Sequence, residues 1–171
     1  MILKGLIDSD FVNYKKPCMT LMFPTCNFKC DQECGEPVCQ NSTLAQEPNI
    51  EVDIRSLVDR YINNPITKAV CMQGLEPFDS WDDLYAFIHL FSRRCDDDIV
   101  IYTGYNEDEI KCNIELLRMD IGQKVINIDK GEKANNVIIK FGRFIPGQKL
   151  HFDDVLGVNL ASDNQYAKRI F

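Results

Sequence analysis

Between residues 18 and 145, short apolar runs alternate with longer segments of helical period, and this alternation restricts the fold more than any other feature of the chain. CMTLMFP (18–24) reads as a buried strand, and DIRSLVDRYINN (53–64) carries Ile54, Leu57, Val58, Tyr61 and Ile62 at helical spacing. KAVCMQG (68–74) is a second strand. SWDDLYAFIHLFSRR (80–94) reads as a helix with Ser80 as N-cap, Asp82 and Asp83 in its positively polarised first turn, and arginines at the opposite end. DIVIYTG (98–104) continues as a strand, NEDEIKCNIELLRM (106–119) as a helix, KVINI (124–128) as a short strand and NVIIKFGRFI (136–145) as another.

Strands separated by helices of this length imply right-handed crossovers and a mostly parallel sheet covered by helices, an α/β fold. A full eight-unit barrel takes roughly 250 residues. The 171 residues here suffice for a partial (β/α) barrel or an open sheet, and for one domain over 1–171. A hydrophobic fraction of 45% with ten Phe argues against disorder, because such a chain has the apolar surface to offset its ordering entropy.

Charge and hydropathy narrow the partners. The net charge is -7 and no Lys/Arg cluster appears, which argues against nucleic acid. No N-terminal stretch reads as a signal peptide, and no apolar run approaches spanning length, so the expectation is a cytoplasmic protein with no membrane partner. In that compartment thiols stay reduced, and the eight cysteines read as ligands or buried apolar residues rather than a disulfide framework. Cys18, Cys71, Cys95 and Cys112 stand alone in apolar or helical sequence and read as small buried side chains.

The other four cysteines crowd into TCNFKCDQECGEPVCQN (25–41), a polar loop directly after the first strand. GLEP (74–77) follows the second strand and TGY (103–105) closes the third. In a parallel sheet all carboxyl ends share one rim, where ligand sites form. Three sequence-distant segments therefore converge on one site. Thiolates hold cubane iron–sulfur clusters. Cys26 and Cys30, with Cys34 or Cys39, supply three ligands, and three ligands on four irons leave one iron open to a small molecule.

The pattern of Cys26, Cys30 and a later Cys39-Gln40-Asn41 resembles the CxxxCxxC signature of the radical S-adenosylmethionine (SAM) superfamily, as it occurs in small activases of glycyl-radical enzymes. The likeness is greatest to the anaerobic ribonucleotide reductase activating family. GLEP is similar to that family's GGEP, Val100–Tyr105 to its YTGY strand, and Gly142–Ile145 with Ser162–Gln165 to its GRFI and SSNQ pieces. These matches run in family order from residue 18 to 165. Two departures stand out: eight residues separate Cys30 from Cys39 where the family has two, and Leu75 replaces the second Gly of GGEP.

The resemblance implies a [4Fe-4S] cluster on Cys26, Cys30 and Cys39, with Cys34 as the alternative to Cys39. It implies SAM held by Gly74, Glu76 and Thr103, with Glu76 at the methionyl ammonium. The implied chemistry is one-electron cleavage of SAM to methionine and a 5′-deoxyadenosyl radical that abstracts hydrogen from a glycine of a partner. The implied partners are a larger glycyl-radical enzyme, such as anaerobic ribonucleotide reductase, and a low-potential electron donor.

Blander readings accompany these residues. GLEP by itself is a turn with a capping carboxylate, Thr103 can cap the turn after it, and Tyr105 can be a rim aromatic. His89 lies in an apolar helix and His151 in a loop, so neither reads as a catalytic base. DDD (96–98) reads as a solvated turn, and Lys133 and Lys140 as surface and sheet-edge residues. Two other functional classes stay open: a structural four-cysteine metal module, which needs neither GLEP nor TGY, and a radical SAM enzyme acting on a small molecule or peptide, since fold and cofactor do not fix substrate.

Overall fold

The computed structural model describes residues 1–125 and 135–171. In chain order the elements are β1 (Ile2–Leu3), β2 (Gly5–Asp10), β3 (Cys18–Phe23), α1 (Lys29–Cys34), β4 (Ile50–Glu51), α2 (Ile54–Ile62), β5 (Ala69–Gly74), α3 (Trp81–Arg94), β6 (Asp98–Tyr102), α4 (Lys111–Val125), β7 (Val137–Phe141), β8 (His151–Asp153), β9 (Val158–Leu160) and β10 (Tyr166–Arg169). Six strands form one mixed sheet in the order β10-β7-β6-β5-β3-β2. The four central strands, β3, β5, β6 and β7, are parallel, and β2 and β10 pair antiparallel at the two ends. The fold is thus mixed α/β, with a mostly parallel sheet.

The strand alternation explains the layering. Residues two apart face the same side of a sheet, so Met19, Leu21 and Phe23 line up with Val70, Met72, Ile99, Ile101, Val137, Ile139 and Phe141. Onto that face pack Leu57, Val58 and Tyr61 of α2, Leu84, Phe87, Ile88 and Phe91 of α3, and Ile114, Leu117 and Ile121 of α4. Each fully buried side chain of this size contributes about 1.5–3 kcal/mol, so this face supplies most of the apolar stabilisation. On the opposite face Cys18, Ala69, Cys71, Val100 and Ile138 meet Tyr14, Leu156 and Leu160, the last from the β8–β9 hairpin.

Several local readings are corrected. Asp53 caps α2, its carboxylate accepting from the Ser56 N–H at 2.8 Å. Ser80 makes no such cap for α3; a 3-10 turn at Pro77–Ser80 precedes the helix, and the Ser80 hydroxyl pairs with that of Thr25 at 2.6 Å. The helix expected over 106–119 begins only at Lys111, because the Glu109 carboxylate folds back onto the Asn106 N–H at 2.8 Å to close a separate turn. That helix continues to Val125, so Lys124 and Val125 of the expected strand 124–128 are helical, and the rest of that segment lies outside the described residues.

Of the four isolated cysteines, Cys18 and Cys71 are buried, Cys95 is half-buried and Cys112 is exposed, since it falls off the inward stripe of α4. Asp98 is no solvated turn residue: it is buried at the start of β6, where it accepts from the Tyr14 hydroxyl at 2.8 Å and the Asn136 amide at 2.6 Å and pairs with Lys16. Among the described residues no helix is long and apolar enough to cross a membrane.

Candidate functional site

The carboxyl ends of β3, β5, β6 and β7 open onto a cavity of about 330 Å³, within the size range of small-molecule sites. Cys26, Cys30 and Cys39 line it from the loop after β3, Gly74, Leu75 and Glu76 from the turn after β5, Thr103 after β6, and Lys140 and Arg143 from β7 and the turn beyond. All six of the residues that the sequence assigns to the cluster and to SAM therefore face one space. Cys34 is exposed and does not line it.

The loop reaches this geometry through backbone devices. Phe28 adopts a positive φ of 53°, which reverses the chain after Cys26, and its N–H donates to the Cys26 Sγ at 3.2 Å. Helix α1 then carries Cys30 and Asp31. The Asp31 carboxylate accepts from the N–H groups of Val38 and Cys39 at 2.9 and 2.8 Å, which returns Cys39 to the neighbourhood of Cys30 across the expanded loop. Burial, and then the charge of Cys39, push the Cys30 thiol up to about 12; burial pushes Cys26 up to about 11. Without a metal these sulfurs are neutral, and ligation would release their protons.

The turn after β5 is equally constrained. Gly74 has φ +100°, and a Cβ there would stand 2.7 Å from the Phe23 N, so no other residue fits without displacing β3. Its carbonyl accepts from the Asn41 amide at 2.7 Å, tying the cysteine loop to the rim. The Leu75 N–H is engaged with the Phe23 carbonyl at 3.3 Å. The Glu76 carboxylate is 4% exposed and accepts from the Thr103 hydroxyl at 2.8 Å, the Gly104 N–H at 2.9 Å and the Phe78 N–H at 3.1 Å. Burial pushes its carboxyl up to about 7 against the lowering influence of those donors. The capping reading of GLEP and of Thr103 is thus realised: Glu76 caps Phe78, and the Thr103 hydroxyl accepts from the Tyr105 N–H at 3.0 Å.

Tyr105 is more than a rim aromatic. Its hydroxyl donates to Asp79 at 2.6 Å and accepts from the Asn27 amide at 2.8 Å, while the ammonium of Lys29 sits 4.8 Å above its ring. Arg143 makes two bonds to Glu109 at 2.9 and 2.7 Å and holds that carboxyl down to about 2. Asn164 and Gln165 fix the turn at Gly142, donating to the Arg143 and Gly142 carbonyls at 2.8 and 3.2 Å.

Sequence reasoning misplaced Lys140. It is neither exposed nor at an edge: β10 pairs with β7 on its outer side, and Lys140 is 7% exposed within the cavity wall. A lysine inside the run VIIKF was the available signal. Lys133 lies outside the described residues. His89 is half-exposed on α3 and pairs with Asp120 at 3.0 Å, away from the cavity lining.

Among the described residues no group of three or more Cys, His, Asp or Glu side chains is set to hold a single metal ion. Three partly desolvated soft sulfurs around one cavity suit instead a larger thiophilic group, and the residues present fit a [4Fe-4S] cluster on Cys26, Cys30 and Cys39. The cavity beside them and the buried Glu76 fit a cationic, amine-bearing ligand. A family model described as "4Fe-4S single cluster domain" matches residues 17–129, from the residue before β3 through α4. No curated protein and no solved structure matches the chain.

Proposed function

The chain belongs to the 4Fe-4S single cluster domain family, and from that premise we propose that it is a radical SAM activating enzyme that places a glycyl radical on a larger partner such as anaerobic ribonucleotide reductase. The observation that carries this reading is the shared cavity, in which Cys26, Cys30 and Cys39 face Gly74, Glu76 and Thr103. A cluster with SAM supplies one-electron cleavage of the sulfonium, which yields methionine and a hydrogen-abstracting 5′-deoxyadenosyl radical.

The chain's own residues bind and orient. Cys26, Cys30 and Cys39 would ligate the cluster, and Cys34, outside the cavity, would not. Glu76, kept in place by Thr103 and Gly104, meets the methionyl ammonium with a charge-assisted bond. The Gly74 turn brings backbone close to the ligand. Tyr105, Asn27 and Asp79 lock the cysteine loop against the rim, which limits water at the site. The sheet acts as a partial barrel whose remaining wall is the partner, because six strands with one helical layer do not by themselves enclose a radical from water. A low-potential donor supplies the electron.

The test is an anaerobic reaction of reconstituted protein, SAM, reductant and candidate glycyl-radical enzyme, followed by electron paramagnetic resonance and by assay of 5′-deoxyadenosine. A glycyl doublet on the partner, with 5′-deoxyadenosine formed in proportion, is expected. SAM cleavage coupled to hydrogen abstraction from a metabolite or peptide, with no protein radical on any candidate, would replace the activase by the small-substrate enzyme. Stoichiometric zinc without iron would remove both.

A further inference from the structure

We propose that helix α1 is a strap across the mouth of the cavity, held there by charge, whose release admits an iron–sulfur cluster to the thiols; Glu109 and Arg143 on the far rim are its positioning residues. The cluster half of this inference rests on the function proposed above, and the strap half does not.

A helix usually stays on a protein by burying an apolar stripe, and α2, α3 and α4 each do so with three or more residues. Helix α1 buries none. At six residues it is also too short to persist alone. What holds it is a chain of alternating charges. Lys29 Nζ lies 3.2 Å from Glu109, Glu109 accepts two bonds from Arg143 at 2.9 and 2.7 Å, and the Arg143 Nε lies 3.4 Å from Glu33. Lys29 and Glu33 are four residues apart, so both lie on one side of the helix. Both cations also sit over the Tyr105 ring, 4.8 and 5.7 Å from its centre.

The sheet order makes this a crossing. The loop leaves β3, yet its ion pairs go to segments after β6 and β7, two and three strands away. At the usual strand spacing that is a reach of roughly 10 to 14 Å over the carboxyl ends. The two ends of the loop are tied differently, by hydrogen bonds to the segment after β5: the Asn27 N–H to Asp79 at 2.9 Å, and the Asn41 amide to the Gly74 carbonyl at 2.7 Å. Within the charge chain the rim half is fixed, since the Arg143 side chain is 8% exposed, and the strap half is wet, with Lys29 at 39% and Glu33 at 60%. Ion pairs this exposed are weak and screened by salt. Cys30 lies between the two strap charges, and Asp31 carries the Cys39 backbone with it. Release of the strap therefore moves two of the three sulfurs together and leaves Cys26 at the hinge.

Hydrogen–deuterium exchange of the cluster-free protein, read by mass spectrometry on peptides covering 27–41, tests the strap without any cofactor, because a released six-residue helix unfolds and its amides exchange. The double variant Lys29→Gln with Glu33→Gln removes both strap charges and leaves Arg143 and Glu109 paired. At roughly 0.1 M KCl its strap should exchange about twofold to thirtyfold faster than wild type, the factor that two partly exposed ion pairs supply. Wild type should approach the variant at about 1 M KCl, where the screening length falls from about 10 to 3 Å, while peptides of α3 exchange alike in both proteins. Wild-type strap exchange indifferent to salt, or equal in wild type and variant at low salt, refutes the strap and leaves α1 a permanent part of the wall. Iron release from anaerobically reconstituted protein to 2,2′-bipyridine, a neutral chelator, should follow the same order; unchanged release beside altered exchange overturns the gating role. If the wild-type protein takes up no iron, the cluster reading falls, and the exchange measurement still decides the strap.

Discussion

The two faces of the sheet are built from the same strands and treated in opposite ways. Beneath α2, α3 and α4 the buried positions of the four parallel strands are apolar, from Met19 to Phe141, and the helices seal them. The other face interrupts a smaller apolar cluster with Asp10, Thr20, Tyr102 and Lys140, and at the carboxyl end it gives way to the cavity. Polar groups on buried strands lower stability unless satisfied. Asp10 and Thr20 satisfy each other near the start of β3, while Tyr102 and Lys140 line the cavity with Glu76 and the half-buried Cys26, Cys30 and Cys39, so the departures from a purely apolar core on this face reach the candidate site. The helical face holds the sheet together so that the other can carry the buried Lys140 and Glu76.

Substitution on the two faces should therefore separate metal and ligand binding from stability. The largest effect is expected at the thiols: Cys26→Ala, Cys30→Ala and Cys39→Ala each abolish a stable SAM-reactive cluster, read as iron content and cluster absorption after anaerobic reconstitution, whereas Cys34→Ala retains it. Loss in Cys34→Ala with retention in Cys39→Ala would transfer the third ligand to Cys34. On the helical face, Phe91→Ala removes a fully buried ring and should cost about 3–5 kcal/mol in urea unfolding, with iron binding by the remaining folded protein unchanged. A large loss of iron at constant stability there would erase the division between the faces.

Glu76→Gln sharpens the comparison, because it should move the two properties in opposite directions. Affinity for SAM falls about tenfold to a hundredfold while iron stays. The folded-state carboxyl is raised from 4.5 to about 7, so the native protein holds its proton more tightly than the unfolded chain. The stability this provides is present below the usual carboxyl range and is lost as pH rises through about 7, up to about 3 kcal/mol. The cofactor-free variant should thus be more stable than wild type at pH 8 and equal to it near pH 4, by thermal unfolding. An advantage that grows on acidification would reverse the assignment. The smallest effect belongs to the outer surface: Arg60 and Asp8 form a paired but exposed bridge, and Arg60→Ala should change stability by less than about 1 kcal/mol.

The parallel core was legible because its strands are short apolar runs, and Cys18–Phe23, Ala69–Gly74, Asp98–Tyr102 and Val137–Phe141 fall inside the predicted segments. The antiparallel additions were not: β1, β8 and β9 span two or three residues, too few for a period to register, and the edge strands β2 (GLIDSD) and β10 (YAKR) carry too few apolar residues to stand out. Helix ends drifted where a side chain other than the expected one made the local bond, as with Glu109 ahead of α4 and the 3-10 turn ahead of α3. The convergence of the cysteine loop, GLEP and TGY on one rim followed from topology alone, and the cavity has that composition. What spacing could not supply was position. It left Cys34 and Cys39 equivalent candidates, and for Lys140 the run VIIKF signals burial but not which face of the strand, since a lone lysine has no period.

The Asp31 clamp separates how long the cysteine loop is from where its sulfurs stand. One carboxylate grips the backbone at Val38 and Cys39, so the chain between them is a side excursion whose growth need not disturb the thiols. Spacer counts between cysteines measure contour length, and this loop has made contour length nearly irrelevant. The exposed Glu36–Pro37 stretch, past the end of α1 and its Gly35 cap, is therefore where the loop can lengthen while Asp31 keeps Cys39 beside Cys30. In the laboratory the same stretch is a place to graft a tag or a sensor.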